Sequence, residues 1–218
     1  MTDFAAARRN MVDGQVRTAD VTDLRVIAAM DEIPRERFLP ASFAPLAYLD
    51  LDLPVDEGNC ARRLLKPMVL GKLLQAAELE ATERVLDVAC ASGYSAAILA
   101  RIAGHVVALE EDRGLAERAK ANLRGLANVE VVSGALTAGW ADGAPYDVIL
   151  LEGATEIVPE HLLQQLRDGG RLLCIQGGGP DAKATLYRKS DDGIGTRPIF
   201  DARAPILPGF RKAAVFAF

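Results

Sequence analysis

From Arg84 onward, short apolar runs alternate with stretches of helical period, and this rhythm confines the chain to a sheet of parallel strands layered with helices. Val85–Ala89, His105–Glu110, Val129–Ser133, Tyr146–Glu152 and Arg171–Ile175 read as strands. Between them, Ser92–Ala103, Arg113–Leu123 and Pro159–Leu166 read as helices, the last with proline in its first turn. Parallel neighbours need a long crossover, and a helix is the usual one, so helices are expected on both faces of a doubly wound α/β sheet. Ala184–Lys189 and Lys212–Phe218 add two late strands that would close one edge antiparallel, making seven strands in all.

The preceding segment has another character. Phe4–Val16 and Val21–Met30 carry apolar residues at three- and four-residue spacing, with Thr18 or Asp20 as candidate caps for the second helix. Prolines at 34, 40, 45 and 54 then punctuate an aperiodic stretch. The polar, basic connection DEGNCARRLLK (56–66) leads into an apolar helix expected over Pro67–Glu78. At 218 residues the chain suits one domain, with residues 1–78 as a helical and loop segment and 79–218 as the α/β core.

Half the residues are hydrophobic and a quarter charged, enough to bury a sizeable core. The formal net charge of −5 offers no electrostatic case for nucleic acid or an anionic membrane. Cys60, Cys90 and Cys174 are odd in number and widely spaced, and only two histidines are present, which argues against zinc. Free thiols suit a reducing compartment. The N-terminal stretch lacks a signal peptide's apolar core and no run is long enough to span a bilayer, so the cytoplasm is the expected compartment. A monomer or weak dimer is expected.

The chemistry centres on VLDVACASGYSAAILA (85–100), a strand passing through small residues into a helix. In a doubly wound sheet, ligands bind outside the carboxyl ends of the strands where strand order reverses. A dinucleotide would set its pyrophosphate on this helix start, but Asp87 ends the strand there and would repel it. S-adenosylmethionine has no phosphate and carries a sulfonium and an amino group, which a carboxylate suits. Glu110, with Glu111 beside it, ends the next strand, where an acid can accept both ribose hydroxyls. Either acid alone reads equally well as an ordinary strand-end carboxylate near a helix start. The pair flanking a small-residue turn favours the methyl donor.

Several segments, in order, resemble the protein-L-isoaspartate O-methyltransferases, which repair isomerised aspartyl residues. MVDGQV (11–16), DLRVIAAMDEIPRERFLP (23–40) and AYLDLDLPV (47–55) resemble the family's N-terminal helices and its "PRE-x-F-x-P" and "AYED-x-PLPI" elements. LDVACASGYSAAILA (86–100) is similar to "LEIGTGSGYQAAVLA", and VVALEED (106–112) to the strand with the ribose-binding acid. SGALTAGWADGAPYDVILLEGA (133–154) and VPEHLLQQLRDGGRLLCIQG (158–177) continue the match. The resemblance implies a Rossmann-like sheet of the class I methyltransferase type, S-adenosylmethionine as cofactor, and a protein or peptide carboxylate as methyl acceptor.

Departures from the pattern fall at the site. The family's "GQTISQP" substrate element reads GNCARRLLKP (Gly58–Pro67), three residues longer. Counting back from Pro67, Leu65 replaces its serine and Lys66 its glutamine. Ala89 and Ala91 replace two cofactor-loop glycines, leaving Gly93; a left-handed backbone at either alanine would cost about 1–2 kcal/mol. The family's "GDG" is Gly134-Ala135-Leu136, without the aspartate that the resemblance places near the adenine amino group, at a cost of about 1 kcal/mol. Arg62, Arg63 and Lys66 read first as solvated loop charges, with capture of an anionic substrate group as the alternative.

Among lesser candidates, Trp140 and His105 read as structural and His161 as a surface residue. Cys90 reads as a small buried side chain. Glu152 ends its strand in the same crevice, suited to contacting cofactor or substrate or to capping the next segment. Methyl transfer to a carboxylate needs no general base, because that oxygen is already ionised at neutral pH. The protein's task is alignment, and no residue stands out as the catalytic group. The altered loop keeps open a divergent member that retains the fold without repair activity; a nicotinamide oxidoreductase is disfavoured by Asp87.

Overall fold

The computed structural model of the chain describes residues 3–58 and 62–213. Its N-terminal part holds α1 (Phe4–Met11), α2 (Leu24–Glu32), a two-stranded ribbon of β1 (Leu53–Pro54) and β2 (Arg63–Leu64), and α3 (Pro67–Ala76). Asp3 caps α1 by accepting from the Ala6 amide at 3.0 Å. Beyond Met11 the expected single helix changes pitch into a π-helical turn, Val12–Val16. The second helix starts at Leu24 rather than Val21. Asp23 caps it, accepting from Arg25 N at 2.8 Å, whereas Asp20 (φ 64°) ends the turn before it.

The α/β part runs β3 (Arg84–Val88), α4 (Tyr94–Leu99), β4 (His105–Glu110), α5 (Arg113–Asn122), β5 (Val129–Ser133), β6 (Tyr146–Thr155), α6 (Glu160–Gln164), β7 (Leu166–Gln176), β8 (Lys183–Ser190) and β9 (Gly193–Asp201). The sheet order is β5-β4-β3-β6-β7-β8-β9, with β7–β8 and β8–β9 antiparallel and every other pair parallel. The expected seven-stranded, mostly parallel sheet is therefore present. Its last strand is corrected: β9 hairpins back on β8 through Asp191-Asp192, where the sequence pointed to Lys212–Phe218. Polar, largely exposed residues and Pro198 mask the alternation of β9, as an edge strand tolerates. Lys212 and Ala213 lie outside any strand, and Ala214–Phe218 fall outside the described residues.

Side chains alternate cleanly across the sheet. Val85, Val106, Ala108, Val148, Leu150 and Leu173 enter a core shared with Met11, Val69, Leu73 and Ile98. Leu86, Val107, Leu109, Ile149, Leu151 and Leu172 enter a second core with Leu162 and Leu166. Near-continuous apolar strands buried on both faces are what a central parallel sheet demands. The chain winds from β3 outward through β4 to β5, then crosses back to place β6 on the other side of β3. The carboxyl end of β3 is thus the switch point of the fold.

Candidate functional site

Three acids meet at this switch point. Asp87 pairs in register with Ala108 of β4 and Leu150 of β6. Glu110 and Glu152 lie two residues beyond those partners, so the period of two turns all three toward the face covered by the N-terminal segment, α3 and α4. Asp87 and Glu110 are fully buried, and Glu152 is 7% exposed. Ser95 Oγ donates to Asp87 Oδ2 at 2.7 Å. Asp87 Oδ1 and Glu152 Oε1 have no hydrogen-bond partner among the described residues.

Burial raises Asp87 to about 7, against the Ser95 hydrogen bond and with help from the charge of Glu110. Burial, reinforced by Asp87, pushes Glu152 well above the usual carboxylate range. Two buried acids with unpartnered oxygens make a pair suited to a cationic ligand. A sulfonium with an adjacent amino group fits it.

The turn after β3 is backbone-strained. Ala89 (φ 69°) and Ala91 (φ 53°) both adopt the left-handed conformation. Gly93 (φ 95°) caps α4, and a Cβ there would meet Leu123 Cδ1 at 2.8 Å. The two alanines hold the shape glycine would hold, at a cost in strain. Ala89 and Cys90 both donate backbone hydrogen bonds to Leu109 O, at 2.9 and 3.1 Å, and Ser92 Oγ donates to Phe38 O at 2.6 Å, tying the turn to β4 and to the N-terminal segment. Cys90 is buried and its thiol is raised well above normal by that burial, so it is not a ready nucleophile.

Arg62 overturns its reading as a solvated charge. It is only 5% exposed, and its Nη2 donates to Glu110 Oε2 at 2.8 Å and Ala89 O at 2.6 Å. Glu110 also accepts from the amides of Ala91 (2.8 Å), Glu111 (3.0 Å) and Asp112 (3.1 Å). Of its neighbours, Arg63 pairs with Pro54 in the ribbon and is half-buried. Leu65 is buried, and its carbonyl accepts from Arg35 Nη2 at 2.9 Å. Lys66 is half-buried, its amide donating to Asp52 at 2.9 Å, and Pro67 opens α3.

The remaining candidates sit at the rim. Glu111 is exposed, with the Leu136 amide directed at its carboxyl; Leu136 is buried and Ala135 exposed. Trp140 packs against the second core, and His161 is exposed on α6. Sequence reasoning missed Ser95 and Arg35. Ser95 follows Asp87 by eight residues, an interval that becomes a contact only once the strand-turn-helix is folded. Arg35 is fully buried, with its guanidinium 4.9 Å over the Tyr94 ring and its Nε donating to Ala47 O at 2.8 Å. Its place in PRERF marked it only as part of a motif. Among the described residues, no three His, Cys, Asp or Glu side chains gather closely enough to hold a metal ion.

Comparison with known proteins gives the family. Residues 7–198 match the protein-L-isoaspartate(D-aspartate) O-methyltransferase family. Protein-L-isoaspartate O-methyltransferase 1 of Rhodopseudomonas palustris is 39% identical over 212 residues, covering 95% of this chain and 85% of that protein. The protein-L-isoaspartate O-methyltransferase of Roseiflexus sp. is 38% identical over 95% of this chain and 94% of its own length. A solved protein-L-isoaspartate O-methyltransferase superposes with a TM-score of 0.82 at 28% identity, over 93% of this chain and 66% of its own length. A Plasmodium falciparum chain solved with S-adenosyl-L-homocysteine gives 0.76 over 95% of this chain and 99% of its own; at 16% identity it supports the fold alone. Family match and fold converge: this chain belongs to the protein-L-isoaspartate(D-aspartate) O-methyltransferase family, the S-adenosylmethionine-dependent enzymes that its sequence resembles.

Proposed function

We propose that this S-adenosylmethionine-dependent O-methyltransferase methylates the isoaspartyl carboxyl of damaged proteins or peptides in the crevice at the ends of β4, β3 and β6. The observation that carries the residue assignment is the set of three buried acids on one face, two of them with an unpartnered oxygen. Asp87 and Glu152 supply negative charge toward the donor's sulfonium and amino end. Glu110 is the acceptor for its ribose hydroxyls, and the strained turn Ala89–Gly93 lets the backbone approach it. Glu111, Ala135 and Leu136 border the adenine side. Bound S-adenosylmethionine supplies an electrophilic methyl group, which a substrate carboxylate oxygen takes without a base.

The chain's own work is to hold that oxygen in line and exclude water. Arg63, Lys66 and the backbone of Leu65–Pro67 border the substrate side, where cations favour a carboxylate. The core running from Met11 through Leu73 to Leu173 supports reading residues 1–218 as one domain. No helix among the described residues is long and apolar enough to cross a membrane. We place the reaction in the cytoplasm, carried out by a monomer or weak dimer on protein rather than nucleic acid.

The test is transfer of labelled methyl to an isoaspartyl peptide and to the same peptide with normal aspartate. Base-labile label on the isoaspartyl peptide alone, lost in Asp87→Asn, is expected. Binding of S-adenosylmethionine without label on either peptide would favour a member with another acceptor.

A further inference from the structure

Glu110 has no vacancy for a ribose. An ionised carboxylate offers about four lone-pair positions. Oε2 accepts from Arg62 Nη2 and from Ala91 N, and Oε1 accepts from Glu111 N and Asp112 N. Three of these donors are backbone amides fixed by the turn after β3 and the start of α5. Only Arg62 is a side chain.

We propose that Arg62 competes with the cofactor's ribose hydroxyls for Glu110 and thereby sets cofactor affinity. The inference rests on the reading of Glu110 as ribose acceptor. The main chain at Arg62 is held independently of its contact with Glu110. Its carbonyl accepts from Val55 N at 3.3 Å, and Arg118 Nη1 holds Val55 O at 2.6 Å, so the ribbon stays anchored while the side chain turns away. Once Arg62 leaves, Glu110 keeps its three amide donors and gains room for a hydroxyl. Ala89 O is uncovered by the same movement. A protein whose competent state is the minor one shows weakened apparent affinity in proportion to that population. Arg62→Met, which fills similar space without donors, therefore tightens binding.

Arg62 also adds positive charge beside Asp87 and Glu152, and its loss would favour a cationic ligand by charge alone. Adenosine separates the two effects, being neutral and sharing the ribose. Dissociation constants for adenosine, S-adenosylhomocysteine and S-adenosylmethionine are measured by calorimetry on wild type, Arg62→Met, Arg62→Gln and Glu110→Gln, with melting temperatures to establish folding. The expected result is tightening of all three ligands by about tenfold in Arg62→Met, the size of one charge-assisted hydrogen bond. Arg62→Gln, uncharged but still a donor, should tighten them less and serves if the methionine variant does not fold. Tightening of S-adenosylmethionine alone would overturn the proposal in favour of a charge effect, and weakening of all three would show Arg62 to be a ligand contact. Weaker adenosine binding in Glu110→Gln with no gain at Arg62 overturns the competition alone. Unchanged binding in Glu110→Gln removes the ribose reading and the proposal with it.

Discussion

Ser95 Oγ donates to Asp87 Oδ2 at 2.7 Å, so the first residues of α4 hold one oxygen of the strand-end acid while the other, Oδ1, has no hydrogen-bond partner among the described residues. This fixes the carboxyl's direction. Burial places Asp87 at about 7 in the folded protein, above the ordinary value of about 4 that applies unfolded. The folded state therefore binds this proton more tightly. The stability it contributes is complete below about pH 4 and lost as pH rises through about 7. Asp87→Asn should melt progressively higher than wild type as pH rises across that window, in the absence of ligand. Parallel melting curves against pH would contradict it. Glu152 is shifted in the same direction and leaves a residual slope in the variant.

Ala89 and Ala91 keep left-handed backbones at φ 69° and 53°. Glycine removes the Cβ clash but loses more entropy on folding, so each Ala→Gly change should stabilise by about 0.5–1 kcal/mol rather than the full strain. Chemical denaturation of both single variants and the double variant checks this. Destabilisation by either would mean that the alanine methyl packs better than its backbone is strained.

Gly93→Ala should do the opposite. Its φ of 95° is poorly tolerated by alanine, and the new Cβ would lie 2.8 Å from Leu123 Cδ1, inside the core shared with α5. A loss of about 2–3 kcal/mol is expected, strain and overpacking together. Circular dichroism melting would show it.

Arg171 joins β7 to the end of α3. It donates to both oxygens of Glu83, at 2.7 and 2.9 Å, and to the carbonyls of Ala77 and Glu78. Both charged side chains are buried. Arg171→Ala would leave Glu83 with the Glu80 amide and a distant Arg167, and should cost about 3 kcal/mol. Replacing both partners by apolar residues should recover part of that loss. A double variant no more stable than Arg171→Ala would refute this account.

The sheet was legible because its central strands are buried on both faces and leave unbroken apolar runs such as Val148–Leu151, whose positions need no knowledge of neighbours. Asp87 and Glu110 were legible for the same reason, as the first polar residues after such runs. The edge was not. Gly193–Asp201 pairs on one side only, so its side chains are free to be polar and its pattern carries no period. Arg62 was illegible for a different reason. An arginine in a basic loop looks solvated, and only folding brings it within reach of an acid 48 residues away. Strand-end chemistry is written locally, whereas long-range pairing is written in the fold.

The shared face of Asp87, Glu110 and Glu152 depends on three strands agreeing in parity. One residue inserted between Val106 and Leu109, or between Val148 and Leu151, would turn the acid beyond it toward the opposite core and bury a charge among Leu86, Leu109 and Ile149. Substitutions in these strands can be absorbed one at a time, but a single-residue change in length cannot. Homologues should therefore vary freely in their loops while keeping an invariant count from each strand's first core residue to its terminal acid.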